Sequence, residues 1–180
     1  MKNLLLAATM TAFAFSACKN APKAPEVAKA PEAPAAPAPA AAPASALVAE
    51  GTCYVYTLGK DVTAVQITMD GDKVSGYMDW SPDEKDGAHG FLVGTKSGNM
   101  ITADWTAMIE GSTNVEQVVF KIDGDKLIRA QGPLDDKNGK MVIRNLAKAK
   151  YVEKYGKVDC AMVAKNIGAA KDVSKTLQKK

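Results

Sequence analysis

Hydrophobic and polar residues alternate with a period of two through much of residues 52–146, which is the pattern of β-strands with one buried face. The clearest hairpin joins two such runs through Asp70-Gly71-Asp72, because Asp-Gly pairs suit the positive φ angles of tight turns. Ser97-Gly98-Asn99 and Asp123-Gly124-Asp125 predict two more hairpins. With residues 52–58 in front and 141–146 behind, the pattern predicts about eight strands.

Short connections between successive strands favour an antiparallel meander. The predicted fold class is therefore all-β, a small meander that forms a barrel or a twisted sandwich and is lipocalin-like in outline. We favour the barrel, because closure removes exposed strand edges. Gly76, Gly90 and Gly94 fall inside predicted strands, where the missing side chain permits sharp coiling or a close approach of two backbones.

The composition changes abruptly before this region. Residues 20–49 are rich in Ala and hold seven of the nine prolines of the chain. Such a segment favours polyproline II and offers too little apolar area to fold alone, so it is predicted to be a semi-rigid tether. One folded domain is then expected at 50–160, a stretch long enough for a single hydrophobic core.

The N-terminal segment carries a positive charge at Lys2, followed by an apolar run over residues 4–15 that is too short to span a bilayer permanently. It ends in Phe15-Ser16-Ala17-Cys18, which resembles the lipobox of bacterial lipoproteins, although Phe15 stands where Leu is usual. The resemblance implies a signal peptide at 1–17, a lipidated Cys18 and a linker to residue 49. Lys19 after the cysteine implies, by the same resemblance, an outer-membrane anchor in the cell envelope, with the domain facing either the periplasm or the outside.

Two further cysteines, Cys53 and Cys160, lie at the ends of the predicted domain. In an exported domain two such thiols are expected to form a disulfide. A metal site or a redox pair is the alternative, but the chain has no Cys-x-x-Cys motif, and its one histidine, His89, is unrelated in spacing to either thiol.

Charge argues against a nucleic-acid partner. Residues 50–160 contain 14 Lys and Arg against 17 Asp and Glu, so the positive net charge of the chain comes from its terminal segments. The repeated Asp-Gly-Asp turns lack the further oxygen ligands of a calcium loop. We therefore predict neither a metal nor a cofactor.

The least generic segment is the charged loop over residues 81–90. A second loop begins at Glu110, and because two strands separate the loops, both are predicted to lie at one end of the meander. A solvated loop is the simple interpretation, and a partner-binding rim with aromatic anchors is the functional one. The candidate rim comprises Trp80, Asp83, Glu84, Asp86, His89 and Glu110.

The Lys-rich segment 161–180 has apolar residues at roughly helical spacing. It is predicted to be either a short amphipathic helix, which could contact anionic lipid, or a solvated tail.

Cys-Tyr-Val-Tyr at 53–56, Glu-Lys-Asp-Gly at 84–87, Glu110-Gly111 and Val-Asp-Cys at 158–160 resemble uncharacterised envelope lipoproteins. The resemblance implies common ancestry and carries no catalytic residue. We expect a non-catalytic domain that binds a protein or a small apolar ligand, the latter in an interior near Met69, Met78 and Trp105. The alternatives are an accessory subunit of an outer-membrane assembly and, by architecture alone, a lysozyme-inhibitor-like protein. An enzyme is not expected, because only His89 could act as a general base and the chain has no nucleophile elbow.

Overall fold

The computed structural model describes residues 51–179. The predicted signal peptide, Cys18 and the linker lie outside the described residues. The described part contains one α-helix, α1 (Ala164–Leu177), and ten strands: β1 (Thr52–Leu58), β2 (Asp61–Asp70), β3 (Lys73–Ser81), β4 (Ala88–Ser97), β5 (Met100–Ile109), β6 (Ser112–Asp123), β7 (Lys126–Gln131), β8 (Leu134–Lys137), β9 (Lys140–Ile143) and β10 (Lys150–Val158).

Eight strands close into an antiparallel barrel. Strands β1 to β7 pair in sequence order, and β10 then pairs with both β7 and β1. The predicted all-β barrel is therefore confirmed. The remaining strands, β8 and β9, form a side hairpin that branches from the barrel wall, where β9 pairs in parallel with β6.

The predicted position of the eighth barrel strand was wrong. Residues 141–146 were expected to end the meander, but Lys140–Ile143 belongs to the side hairpin. The barrel is closed instead by Lys150–Val158, a strand that the alternation did not predict. Its pairing with β7 shifts register between Tyr151 and Glu153, and this bulge interrupts the period of two on which the prediction depended.

Side chains fill the barrel interior. Met78, Leu92, Phe120 and Tyr155 have no exposed surface, and they belong to one continuous cluster of buried residues. Tyr155 packs edge-on against Phe120, with ring centroids 5.7 Å apart. Met78 and Trp105, expected to line a ligand cavity, are thus part of a packed core, and Met69 is 41% exposed.

The disulfide between Cys53 and Cys160 is confirmed, with Cα atoms 5.1 Å apart. It joins β1 to the 3-10 turn that precedes α1. Val163 at the end of this turn and Ile167 in α1 pack on the outside of the barrel, where they form a buried cluster with Cys53 and Ala64. The folded domain therefore continues beyond Cys160, and of the two alternatives for the C-terminal segment the structure has the helix.

Candidate functional site

The loop between β3 and β4 and the turn between β5 and β6 meet at one end of the barrel. Together they form an open pocket of about 700 Å³, called here the rim pocket. It is lined by Trp80, Asp83, Glu84, Lys85, Asp86, Ile109 and Glu110. The structure therefore brings together five of the six residues of the predicted rim, and adds Lys85 and Ile109.

The floor of the rim pocket is apolar. Trp80 pairs with Ala88 across β3 and β4, and Ala88 pairs with Ile109 across β4 and β5, so the three side chains share one rung of the inner barrel face. Trp80 and Ile109 are half-buried and pack against the core. They can offer an aromatic and an aliphatic anchor without leaving the barrel.

The walls of the rim pocket are acidic. Four carboxylates face one lysine among the lining residues, and Lys60 donates to Asp83 Oδ2 at 2.9 Å from the neighbouring turn. The backbone N–H of Asp83 donates to Asp61 Oδ1 at 2.9 Å, which fastens the loop to the start of β2. The pocket therefore presents a net negative rim around an apolar floor.

Glu110 lies at this rim with a backbone conformation that is unfavourable for glutamate. Its φ is 49° and that of Gly111 is 78°, as in a two-residue hairpin turn whose first position favours Asn, Asp or Gly. Asn138-Gly139 makes the same kind of turn with the preferred residue. A glutamate in the left-handed region costs about 1 kcal/mol, so the turn at Glu110 is not optimised for stability.

His89 does not line the rim pocket, which corrects its place in the predicted rim. Its side chain lies on the outer barrel face, where Nδ1 donates to Asp79 Oδ2 at 2.5 Å. Asp79 is fully buried and also accepts from Ser81 Oγ at 2.7 Å and from Asn166 Nδ2 at 2.8 Å. Successive side chains of a strand point to opposite faces, so His89, which directly follows the inward-facing Ala88, points outward.

The Asp79 cluster fastens α1 to the barrel, since Asn166 belongs to the helix and Asp79 to β3. Sequence reasoning missed Asp79 and Asn166, which lie 87 residues apart. In a nucleophile–base–acid arrangement the serine hydroxyl would bond the imidazole, whereas Ser81 bonds the carboxylate. No group of three or more His, Cys, Asp or Glu side chains placed to hold a metal ion occurs within residues 51–179.

A second polar cluster, also missed from the sequence, lies on the inner barrel face around Arg129. Its guanidinium donates to Glu116 Oε1 at 2.6 Å and lies 3.5 Å from Glu153 Oε2. Tyr155 donates its hydroxyl to the same Glu153 oxygen at 2.8 Å. Burial alone would lower the pKa of Arg129, but Glu116, Tyr155 and Glu153 raise it more, so the guanidinium keeps its charge. Burial raises the pKa of Tyr155, which stays a neutral donor.

Removing this guanidinium is expected to destabilise the barrel. Arg129→Met leaves Glu116 and Glu153 without their cation at positions that are 29% and 17% exposed, so we expect the free energy of unfolding to fall by about 3 kcal/mol. The matched control is Arg144→Met, because Arg144 is 63% exposed and pairs with Asp135 at the surface. That change should cost less than about 1 kcal/mol. Urea unfolding measures both, and equal losses would contradict a structural role for the cluster.

No family model, curated protein or solved structure shows significant similarity to this chain. Within the described residues, no helix is long and apolar enough to cross a membrane.

Proposed function

We propose that this protein is an envelope lipoprotein, anchored to the outer membrane through Cys18, whose β-domain binds a partner without catalysis. The residues Phe15-Ser16-Ala17-Cys18 support the anchor, and the Ala/Pro-rich segment supports a tether between lipid and domain. The Cys53–Cys160 disulfide supports export, because such bonds persist in oxidising compartments.

The anchor has a direct test in the mass of the mature N-terminus. We expect the chain from native membranes to begin at an acylated Cys18, and Cys18→Ala to leave the membrane fraction. An N-terminal peptide that retains residues 1–17, or an unmodified Cys18, would reject the anchor while leaving the binding proposal open.

The rim pocket is the observation that carries the binding proposal. An apolar floor of Trp80 and Ile109 within a ring of carboxylates suits a protein partner that places an apolar side chain inside a basic surface. The filled barrel core favours this rim over an internal site for a small apolar ligand. A basic partner is also compatible with an accessory role in an outer-membrane assembly and with inhibition of lysozyme.

Affinity purification of the tagged full chain from native membranes tests the partner. The reversal Glu84→Lys/Asp86→Lys is expected to lower recovery of a stoichiometric partner by about tenfold or more. The matched control Asp70→Lys/Asp72→Lys reverses two exposed carboxylates, one at the end of β2 and one in the turn that follows it, at the opposite end of the barrel.

Three outcomes separate the candidates. A partner lost with the rim variant and also with Cys18→Ala indicates an assembly subunit that requires the anchor. Inhibition of lysozyme by the soluble domain, abolished by the rim variant, indicates the inhibitor. Equal recovery from the rim variant and its control would overturn the proposal.

A further inference from the structure

A second concave surface opens where the barrel wall changes strands. Strand β6 has 12 residues and β7 has six, so β7 pairs only with residues 120–123 of β6. Higher on β6, residues Val115 and Glu116 pair with β9 of the side hairpin instead. A cleft of about 590 Å³, called here the lateral cleft, lies beside this exchange of strands. This volume falls in the roughly 300–1,000 Å³ range of small-molecule sites.

The walls of the lateral cleft are largely apolar. Ala130 and Ile143 are recessed, at 3% and 9% exposed. Leu134 and Val152, also lining the cleft, are 36% and 50% exposed and are among the large apolar side chains that the barrel leaves in contact with water. Val152 takes this position because the bulge in β10 turns it out of the pairing with β7.

The uncompensated charge at the lateral cleft is positive. Arg129 and Glu116 both line it and bond each other at 2.6 Å, whereas Glu153, the second carboxylate beside Arg129, does not line it. Lys148 and Lys150 also line it, and neither takes part in an ion pair within the described part of the chain. The apolar walls are thus accompanied by two ammonium groups free to meet an anion.

We propose that the lateral cleft binds a free single-chain amphiphile with a carboxylate head group, of the fatty-acid class. The chain lies against Ala130, Ile143, Leu134 and Val152, and the carboxylate contacts Lys148 and Lys150. Apolar burial is worth about 0.8 kcal/mol per methylene, so the chain supplies most of the affinity and the lysines set the orientation and the sign of the head group. A membrane surface is the poorer occupant, because the recessed Ala130 and Ile143 are reached only by a chain that enters the cleft. This site is separate from the rim pocket and does not depend on the proposed function.

Calorimetric titration with dodecanoate below its micelle concentration tests the site, using the full chain with Cys18→Ala so that no detergent is needed. We expect saturable binding of one molecule. Dodecyltrimethylammonium has the same chain and a cationic head group, and its affinity should be lower than that of dodecanoate by about tenfold or more. Butyrate has the carboxylate without the long chain and should not bind measurably.

Paired variants locate the binding. Lys148→Glu/Lys150→Glu and, separately, Leu134→Gln/Val152→Gln should each weaken dodecanoate about tenfold or more. The charge control is Lys165→Glu/Lys179→Glu on exposed positions of the C-terminal segment, and the apolar control is Met162→Gln, at a side chain 75% exposed. Both controls should bind as the parent does. Because all variants share residues 1–50, differences among them report on the described domain, and circular dichroism verifies that each is folded.

Absence of saturable dodecanoate binding, or equal losses in cleft variants and controls, would overturn the proposal. Vesicles of phosphatidylglycerol provide the arm for the rival occupant. If the cleft variants lose vesicle binding while the parent binds no dodecanoate, the surface contacts membrane lipid and the free-ligand site is rejected.

Discussion

Removing the disulfide is expected to lower the free energy of unfolding by about 4 kcal/mol. The bond joins residues 107 positions apart, and in the chain-entropy model a cross-link over so long a loop strongly restricts the unfolded ensemble. It also ties the turn before α1 to β1, next to the ladder in which β10 closes the barrel. Urea unfolding of Cys53→Ala/Cys160→Ala, compared with the oxidised parent, measures the loss.

Chemical reduction of the parent provides the control. The reduced parent and the double variant should unfold at similar urea concentrations, because both lack the cross-link. Coincident transitions for the oxidised and reduced parent would contradict the predicted contribution. Free thiols at both positions in protein isolated from its native cells would show that the bond is not formed there.

Gly90→Ala is expected to cost about 3 kcal/mol or to prevent folding. A Cβ at Gly90 would overlap the carbonyl oxygen of Thr106 and lie 2.7 Å from Ala107 Cα. Both are main-chain atoms of the paired strand β5, so relief requires the two strands to separate. Thermal and urea unfolding measure the loss.

Gly156→Ala is the matched control, because Gly156 also lies in a barrel strand and a Cβ there meets nothing within 4 Å. That change should be neutral or stabilise by up to about 1 kcal/mol, since alanine restricts the unfolded chain. If both variants unfold alike, the close approach of β4 and β5 does not require glycine. Gly76 and Gly94 make similar approaches to Gln66 O and Thr102 O, in agreement with the role expected for these glycines from the sequence.

The rim pocket shows how far sequence reasoning reached into the candidate site. Counting the strands between the two loops was sufficient to place Glu110 beside the charged loop, because an even count returns an antiparallel chain to the same end. The strand count could not place His89, because the side of the barrel wall on which its side chain lies is known only once the first paired residue of β4 is known. That residue is Ala88, so His89 already follows the alternation of β4 and points outward to Asp79.

Neither the lateral cleft nor the Arg129 cluster could be predicted from the sequence. Glu116, Arg129 and Glu153 look like ordinary surface charges of three strands, and only the barrel register turns all three inward. The cleft arises because β7 stops short and β9 takes its place along β6. Neither the inward facing of these charges nor the replacement of β7 by β9 has a local sequence signature, since each depends on which distant segment pairs with a given strand.

The sequence by itself determined the all-β class, the turns at Asp-Gly and Ser-Gly pairs and the disulfide partners. It also determined the glycines at which neighbouring barrel strands approach closely. These follow from properties that act over a few residues, namely the two-residue period, the backbone freedom of glycine and the number of cysteines in the domain. Tertiary structure alone decided that Lys150–Val158 closes the barrel, that residues 132–149 leave it as a side branch, and that α1 covers Asp79. These depend on long-range pairing and on burial of a whole face at once, which no local stretch of this chain encodes.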